Sequence, residues 1–460
     1  MDRNKKIVKN SIIFAIGNFG SKILAYIMVL VYTHFIGKDD LGYYDLILTT
    51  VSLLHPILLM AFDEGIYRWL ISDDYDKPTV ISTCLKATSV TTALSIVVLF
   101  LINIIFHFQY VELIALFLFS SMMYSMFQNI IRGLTKNKLY AVSGLLNSFV
   151  LLLFELLCLI VFRLGIEGLL ISKVIANVAA IAYIYWKEPN LHGIIKKPFE
   201  KKIAKKIFNY SMPLVPNQIS WWIVNSSDRY IILAFLGVSF NGIYSISNKF
   251  PTVITTITGI VYLALQESII KEYQSDDRDE FYSTTFQNYY KLLFALVLCA
   301  IPATKVIIEC TVSQEYVEAW KYIGFLYLST IFSALSSFLG IGYQISKETK
   351  RSVVSTVSAA VVNIVINVVF IQFIGLHAAT LSTLISYFAL FVIRIFHSKK
   401  YFHLQINWFF FGALLLTALL VIGLSYMCDL IVNIAITVLA FAAMVYMNKS
   451  MIKSLIKKKG

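Results

Sequence analysis

Fourteen stretches of this chain stay apolar for about the thickness of a lipid bilayer, and no other feature restricts the fold as much. A spanning helix needs about 20 mostly apolar residues. Such runs lie near residues 10–36, 41–66, 79–107, 111–131, 140–162 and 168–186, and after a polar break near 210–236, 242–267, 286–308, 320–344, 353–374, 377–397, 406–427 and 430–447. A chain that is 58% hydrophobic and only 14% charged is an integral membrane protein. Outer-membrane strands would show short alternating segments instead, so the expected fold is an all-α polytopic membrane protein of about fourteen transmembrane helices. The first apolar run is longer than a signal-peptide core and no small-residue cleavage site follows it, so it is expected to be retained as a span.

The cations set the orientation, because Lys and Arg are held on the cytoplasmic side during insertion. With the amino terminus inside, the inner segments collect Arg3, Lys5, Lys6, Lys9, Arg132, Lys136, the lysines of 187–206 and those of the carboxyl tail, while the outer ones hold only Lys38, Arg163, Lys305 and Lys321. Both termini are therefore expected in the cytoplasm. The net charge of +13 reads as topology and not as nucleic-acid binding.

The stretch from Asn209 to Phe250 is a weak second copy of the chain's beginning. Moving it back by two hundred positions lays Ser211 on Ser11, Phe235-Leu236-Gly237 on Phe35-Ile36-Gly37, Gly242 on Gly42 and Tyr244 on Tyr44. Further on, Leu134–Lys138 resembles Ile345–Thr349, and Gly165 matches Gly375. Six spans thus map onto six in the same order, which predicts two lobes related by an axis along the membrane normal. The expected organisation is an amino-terminal six-helix lobe (1–186), a basic cytoplasmic linker (187–208), a second six-helix lobe (209–400), and two peripheral helices with a basic tail (401–460).

No enzyme signature is present. The seven histidines are scattered, the five cysteines have no paired spacing, and there is no phosphate-binding glycine loop. Catalytic residues, metal sites and cofactors are not expected. The informative residues are ionisable groups inside spans, because each Lys or Arg near the bilayer centre costs about 2.5 to 3.5 kcal/mol on insertion scales. Lys86, Lys173 and Lys291 lie close enough to span ends to snorkel. Lys22, Arg229 and Lys249 are deeper and are the candidate substrate-binding cations.

Polar neighbours accompany them. Asn18 lies near Lys22, while Gln218, Trp222, Asn225 and Arg229 follow one another at helical spacing. Asn18 and Gln218 occupy matching places in the two copies, so these stripes either face each other across a central cavity or bond between helices within a lobe. Asp228 is expected to pair with Lys249, Arg229 or a group on another span. Glu155 is either a coupling group or the partner of Lys173. Asp63, Glu64 and Arg68 at the inner end of the second span read as a gate or a mutual salt bridge. Trp221 and Trp222 are placed to stack on sugar or to pack against helices, and Pro56, Pro213, Pro216 and Pro251 weaken the first two spans of each copy.

The segments GNFGSK in the first span, FIGKDDLGYYD after it and SSDRYIILAFLGVSFNGIYSISNKF across spans seven and eight, on a duplicated six-span plan with two extra spans, resemble polysaccharide repeat-unit flippases of the Wzx type. These belong to the multidrug/oligosaccharidyl-lipid/polysaccharide exporter superfamily. The resemblance runs from about Lys5 to Lys400. It implies two helical bundles that alternate between inward- and outward-open states and move an undecaprenyl-diphosphate-linked oligosaccharide to the outer leaflet of the bacterial cytoplasmic membrane. It also implies cavity cations on the first and eighth spans, where Lys22 and Lys249 stand, and a polymerase and glycosyltransferases as pathway partners. Lipid II flippases carry more arginine in that cavity than this sequence shows. A cation-coupled multidrug exporter of the same superfamily is the alternative, and it would carry a carboxylate in the first span where Lys22 stands. A membrane-embedded polymerase or ligase would need a long outer loop, which the chain lacks.

Overall fold

A computed structural model of the chain describes residues 28–71, 75–346 and 348–447. Within them the first helix, α1, covers 28–35. The remaining helices are α2 (Lys38–Leu58), α3 (Phe62–Ile71), α4 (Lys77–Phe106), α5 (Val111–Gly133), α6 (Asn137–Leu156), α7 (Gly165–Lys187), α8 (Lys201–Ser211), α9 (Val215–Ser226), α10 (Asp228–Phe235), α11 (Val238–Lys249), α12 (Pro251–Lys271), α13 (Arg278–Thr311), α14 (Trp320–Leu339), α15 (Ile341–Ile345), α16 (Thr349–Ile374), α17 (Leu376–Ser398), α18 (Trp408–Met427) and α19 (Leu430–Met447). Ten helical segments among the described residues are long and apolar enough to cross a membrane, and Leu430–Val445 is a shorter apolar helix. The protein is an all-α multi-pass membrane protein. The count differs from fourteen at four runs: the first lies mostly outside the described residues, the seventh is divided between α9 and α10, the eighth between α11 and α12, and the last is the shorter helix Leu430–Val445.

Three spans are interrupted, the second and eighth close to a proline and the seventh at Ser227 between α9 and α10. α2 ends two residues after Pro56, and Met60 and Ala61 then take left-handed backbone angles (φ 49° and 51°) before α3 begins. Such angles strain residues that carry a Cβ. Pro251 opens α12 directly after α11, where its missing N–H leaves the carbonyl of Ser247 without a helical donor. Pro213 and Pro216 fall in the short turn and first residues that lead into α9.

The chain forms two compact units, Met1–Trp222 and Ile223–Gly460. In the first, α4 packs on α5, α5 on α7 and α6 on α7; in the second, the positional equivalents α13 with α14, α14 with α17 and α16 with α17 do the same. The matched glycines share a conformation as well: Gly165 and Gly375 both have φ +56° at the starts of α7 and α17, and a Cβ on either would meet no atom within 4 Å. Only backbone strain excludes a side chain there. Gly37 and Gly237, also aligned, differ, with φ −68° and +98°.

The linker is part of the first unit. Ile203, Ile207 and Ser211 form one buried stripe of α8, while Lys201, Lys202, Lys205 and Lys206 are exposed, the pattern of a surface amphipathic helix. α8 closes on α3 at Gly65, where a Cβ would sit 2.4 Å from Ser211 Oγ. Lys86 donates to the carbonyl of Lys197 at 2.6 Å, and Lys136 pairs with Glu188 at 3.4 Å.

An aromatic core holds the second unit. Tyr282 stacks on Phe402 at 3.7 Å, Phe286 and Tyr289 meet Phe338, and Phe391 stacks on Phe411. The final helices, expected at the periphery, enter this core through Phe411. Lys305 fixes the end of α18 by donating to the carbonyls of Ser425 (2.7 Å) and Cys428 (2.8 Å), a cation at a helix C-terminus.

Candidate functional site

In the second unit a polar cluster forms around Asp228, through residues of α11, α16 and α17 that sequence reasoning did not single out as site residues. Asp228 is the first residue of α10 and is buried. Its Oδ2 accepts from Tyr244 on α11 (2.7 Å) and Thr383 on α17 (2.9 Å), and its Oδ1 from Asn367 on α16 (2.8 Å). Three neutral donors from three helices therefore stabilise a carboxylate inside the bundle. Ser227 donates to Asn363 at 3.3 Å and Tyr387 to Asn225 at 2.6 Å, which extends the cluster along α16 and α17. The Oδ1 of Asn367 is buried without a hydrogen-bond donor among the described residues.

Arg229 borders that cluster at Tyr244. Its Nη1 donates to the carbonyl of Asn225 at 2.7 Å and its guanidinium lies 5.4 Å from the ring centre of Tyr244. Lys249 is the last residue of α11 and half-buried. It has no carboxylate partner among the described residues. Gln218 is half-buried on α9 and Asn225 is exposed. Lys22 and Asn18 lie outside the described residues.

In the first unit Glu155 is 1% exposed and accepts from Tyr32 on α1 at 2.8 Å. Directly after it α6 widens into a π-helical turn, Leu157–Val161, with Phe162 N–H bonded to the carbonyl of Leu157. Such turns recur at functional positions in helices. Asp63 is buried beside the break in the second span, 3.8 Å from His55 Nε2 and 3.3 Å from Ser125 Oγ. Arg68 is exposed and lies over the ring of Tyr210 at 5.2 Å, so the structure does not bring Asp63 and Arg68 together. Trp222 donates through its indole nitrogen to Ser52 Oγ (3.0 Å) and the carbonyl of Thr49 (3.2 Å) on α2.

Sequence reasoning passed over Arg394. It is 4% exposed and donates to the carbonyl of Ser336 (2.8 Å), Ser355 Oγ (3.2 Å) and Thr356 Oγ1 (3.2 Å). Gly340 makes room for it, since a Cβ there would lie 2.8 Å from Arg394 Nη1. The available signal was the set of small polar residues on the two neighbouring spans. No group of three or more His, Cys, Asp or Glu residues suited to a metal ion occurs among the described residues.

Comparison with known proteins places this geometry. The chain is 23% identical over 420 residues to an uncharacterized membrane protein of Methanocaldococcus jannaschii, covering 85% of this chain and 97% of that one. Its fold is similar to an inward-facing multidrug resistance MATE family transporter of the MOP superfamily (TM-score 0.67, 12% identity, 82% of this chain and 95% of that one). It is equally similar to lipid II flippase MurJ in an inward closed conformation (TM-score 0.66, 15% identity, 96% and 100% covered). At these identities the likeness shows the shared fold. Residues 7–270 match the family described as Polysaccharide biosynthesis protein, more than half of the chain, and the protein therefore belongs to that family.

Proposed function

We propose that the protein is a flippase that carries undecaprenyl-diphosphate-linked oligosaccharide units from the inner to the outer leaflet of a bacterial cytoplasmic membrane, with both termini in the cytoplasm. The family match over residues 7–270 carries this reading, and the fold held in common with MurJ supports it. A diphosphate cannot cross hydrocarbon unaided. Fixed cations facing a hydrated path supply counter-charge, while the polyprenyl tail remains in lipid. Lys249, with no acid partner among the described residues, and Lys22 are the residues assigned to hold the diphosphate. With the cell interior negative, outward movement of the anion is favoured by about 2.3 kcal/mol per charge per 100 mV.

No covalent bond is made or broken. Alternating access moves the substrate, and the interrupted spans provide bending points for it. Replacing Lys22 or Lys249 with alanine should reduce surface polysaccharide by about tenfold or more, the effect of losing a charge-assisted contact, at unchanged protein level. Full polysaccharide in both variants would remove these lysines from the mechanism.

Ion coupling is the second reading, and the Asp228 cluster favours it. Hard oxygen ligands from Asp228, Asn367 and Thr383, with the unengaged Oδ1 of Asn367, suit a small cation. Sodium should then raise the thermal midpoint of the purified protein and have no effect on Asp228→Asn. An equal response to sodium in both proteins would exclude it.

A further inference from the structure

The last turns of α17, the first turn of α18 and the segment 399–407 between them enclose a groove of about 570 Å³, within the range of small-molecule sites. Both helices are long and apolar enough to span a membrane. A groove at their joined ends therefore lies at the boundary between hydrocarbon and water. Its floor is aromatic, made by the buried Phe391, Phe402 and Phe411.

The groove is held in shape from α13. Tyr282 stacks on Phe402 at 3.7 Å, the backbone N–H of Gln405 donates to Ser283 Oγ at 3.0 Å, and Gln287 donates to the carbonyl of Gln405 at 3.0 Å. With its backbone fixed in this way, the segment leaves His403 and Gln405 exposed along the groove.

Charge is unevenly spread over this end of the second unit. Glu348 engages both Lys400 and Arg351. Lys399, one residue away, is exposed, lines the groove and has no carboxylate partner among the described residues; its ammonium lies 5.3 Å from the ring centre of Phe396. The described lining contains Lys399 and His403 but no Asp or Glu. Trp408, 55% exposed, adds an indole N–H at the rim, a side chain suited to the membrane surface.

A ligand with an apolar chain and a phosphate meets a complement for each part. The chain covers the aromatic floor, while Lys399, His403 and Trp408 supply donors to the phosphate. A headgroup that also carries an ammonium finds no carboxylate to receive it, so a net negative headgroup is preferred. Such lipids are abundant on the cytoplasmic side, where basic pockets between spanning helices bind them.

We propose that this groove holds one anionic glycerophospholipid, an acyl chain on the aromatic floor and the phosphate at Lys399 and His403. The lipid joins α17 to α18 as a resident component and is not the transported substrate. Only its assignment to the inner leaflet rests on the orientation proposed above. An inverted topology would move the groove to the outer leaflet and leave its chemistry as stated.

The test uses the full chain, delipidated in detergent, and a phosphatidylglycerol with a photoactivatable diazirine on one acyl chain. Irradiation should cross-link the probe saturably to peptides within 388–411. Unlabelled phosphatidylglycerol should displace it about tenfold better than phosphatidylcholine with the same chains. Lys399→Gln combined with His403→Gln should weaken binding about tenfold or more, as expected for lost charge-assisted contacts. Ile395→Trp, which fills the groove and removes no charge, should abolish the cross-link, and Lys201→Gln on α8 should leave it unchanged. Cross-linking spread over many helices, equal displacement by phosphatidylcholine, or indifference to the double variant in folded samples overturns the proposal. Stronger displacement by undecaprenyl phosphate than by phosphatidylglycerol also overturns it and assigns the groove to a polyprenyl chain.

Discussion

Asp228 shows what a buried charge requires of its neighbours. Its three donors come from α11, α16 and α17; Thr383 also reaches the carbonyl of Ala379 at 3.0 Å, so removing the acceptor leaves the donors of Tyr244 and Asn367 unsatisfied. At about 1 to 3 kcal/mol per orphaned group, Asp228→Leu should destabilise the protein by about 2 kcal/mol or more. Tyr244→Phe, which removes one donor of the three, should cost about 1 to 2 kcal/mol. Thermal unfolding in detergent measures both, and equal midpoints for Asp228→Leu and the unaltered protein would show that the cluster does not hold these helices together. Asp228, Arg229 and Lys249 were legible in the sequence because a charge in the middle of an apolar run is conspicuous. Arg394 and Lys305 were not. Each lies near the end of its run, where a cation reads as one that reaches the headgroups, and only the rotation of the helix decides that it is buried.

At the scale of elements, the internal repeat was readable where backbone geometry demands a residue type. Gly165 and Gly375 were aligned from sequence, and both prove to start a helix at φ +56°. Gly165→Ala and Gly375→Ala should each destabilise by about 1 to 3 kcal/mol through strain alone. Gly144 lies inside α6 with open space around it, so Gly144→Ala should instead stabilise by about 0.5 to 1 kcal/mol. Opposite signs in one unfolding series would separate strain from packing. The aligned Gly37 and Gly237 carry different angles, because Gly37 precedes α2 in an extended conformation that any residue adopts. The prolines signalled that spans would be weakened, but not where. The double left-handed turn at Met60 and Ala61 is built from residues with no turn-forming character of their own.

For the molecule as a whole, length and apolarity were enough to identify a multi-pass helical membrane protein, and charge bias gave an orientation that can be measured. With the amino terminus inside, α13 runs outward and places Cys310, which is exposed near its end, on the outer side. A membrane-impermeant maleimide applied to intact cells should therefore label the protein, and Cys310→Ser together with Cys428→Ser, which removes the partly exposed thiol between α18 and α19, should abolish the label. Labelling of Cys310 only after the membrane is opened would invert the topology. The broken second span has a further consequence. A straight helix stores elastic energy when it is flexed, but one with its corner already built between Leu59 and Phe62 does not. Thermal energy can then swing its inner third with little effect on the outer two-thirds, so spin labels on α2 should report one narrow distance distribution while those on α3 report two.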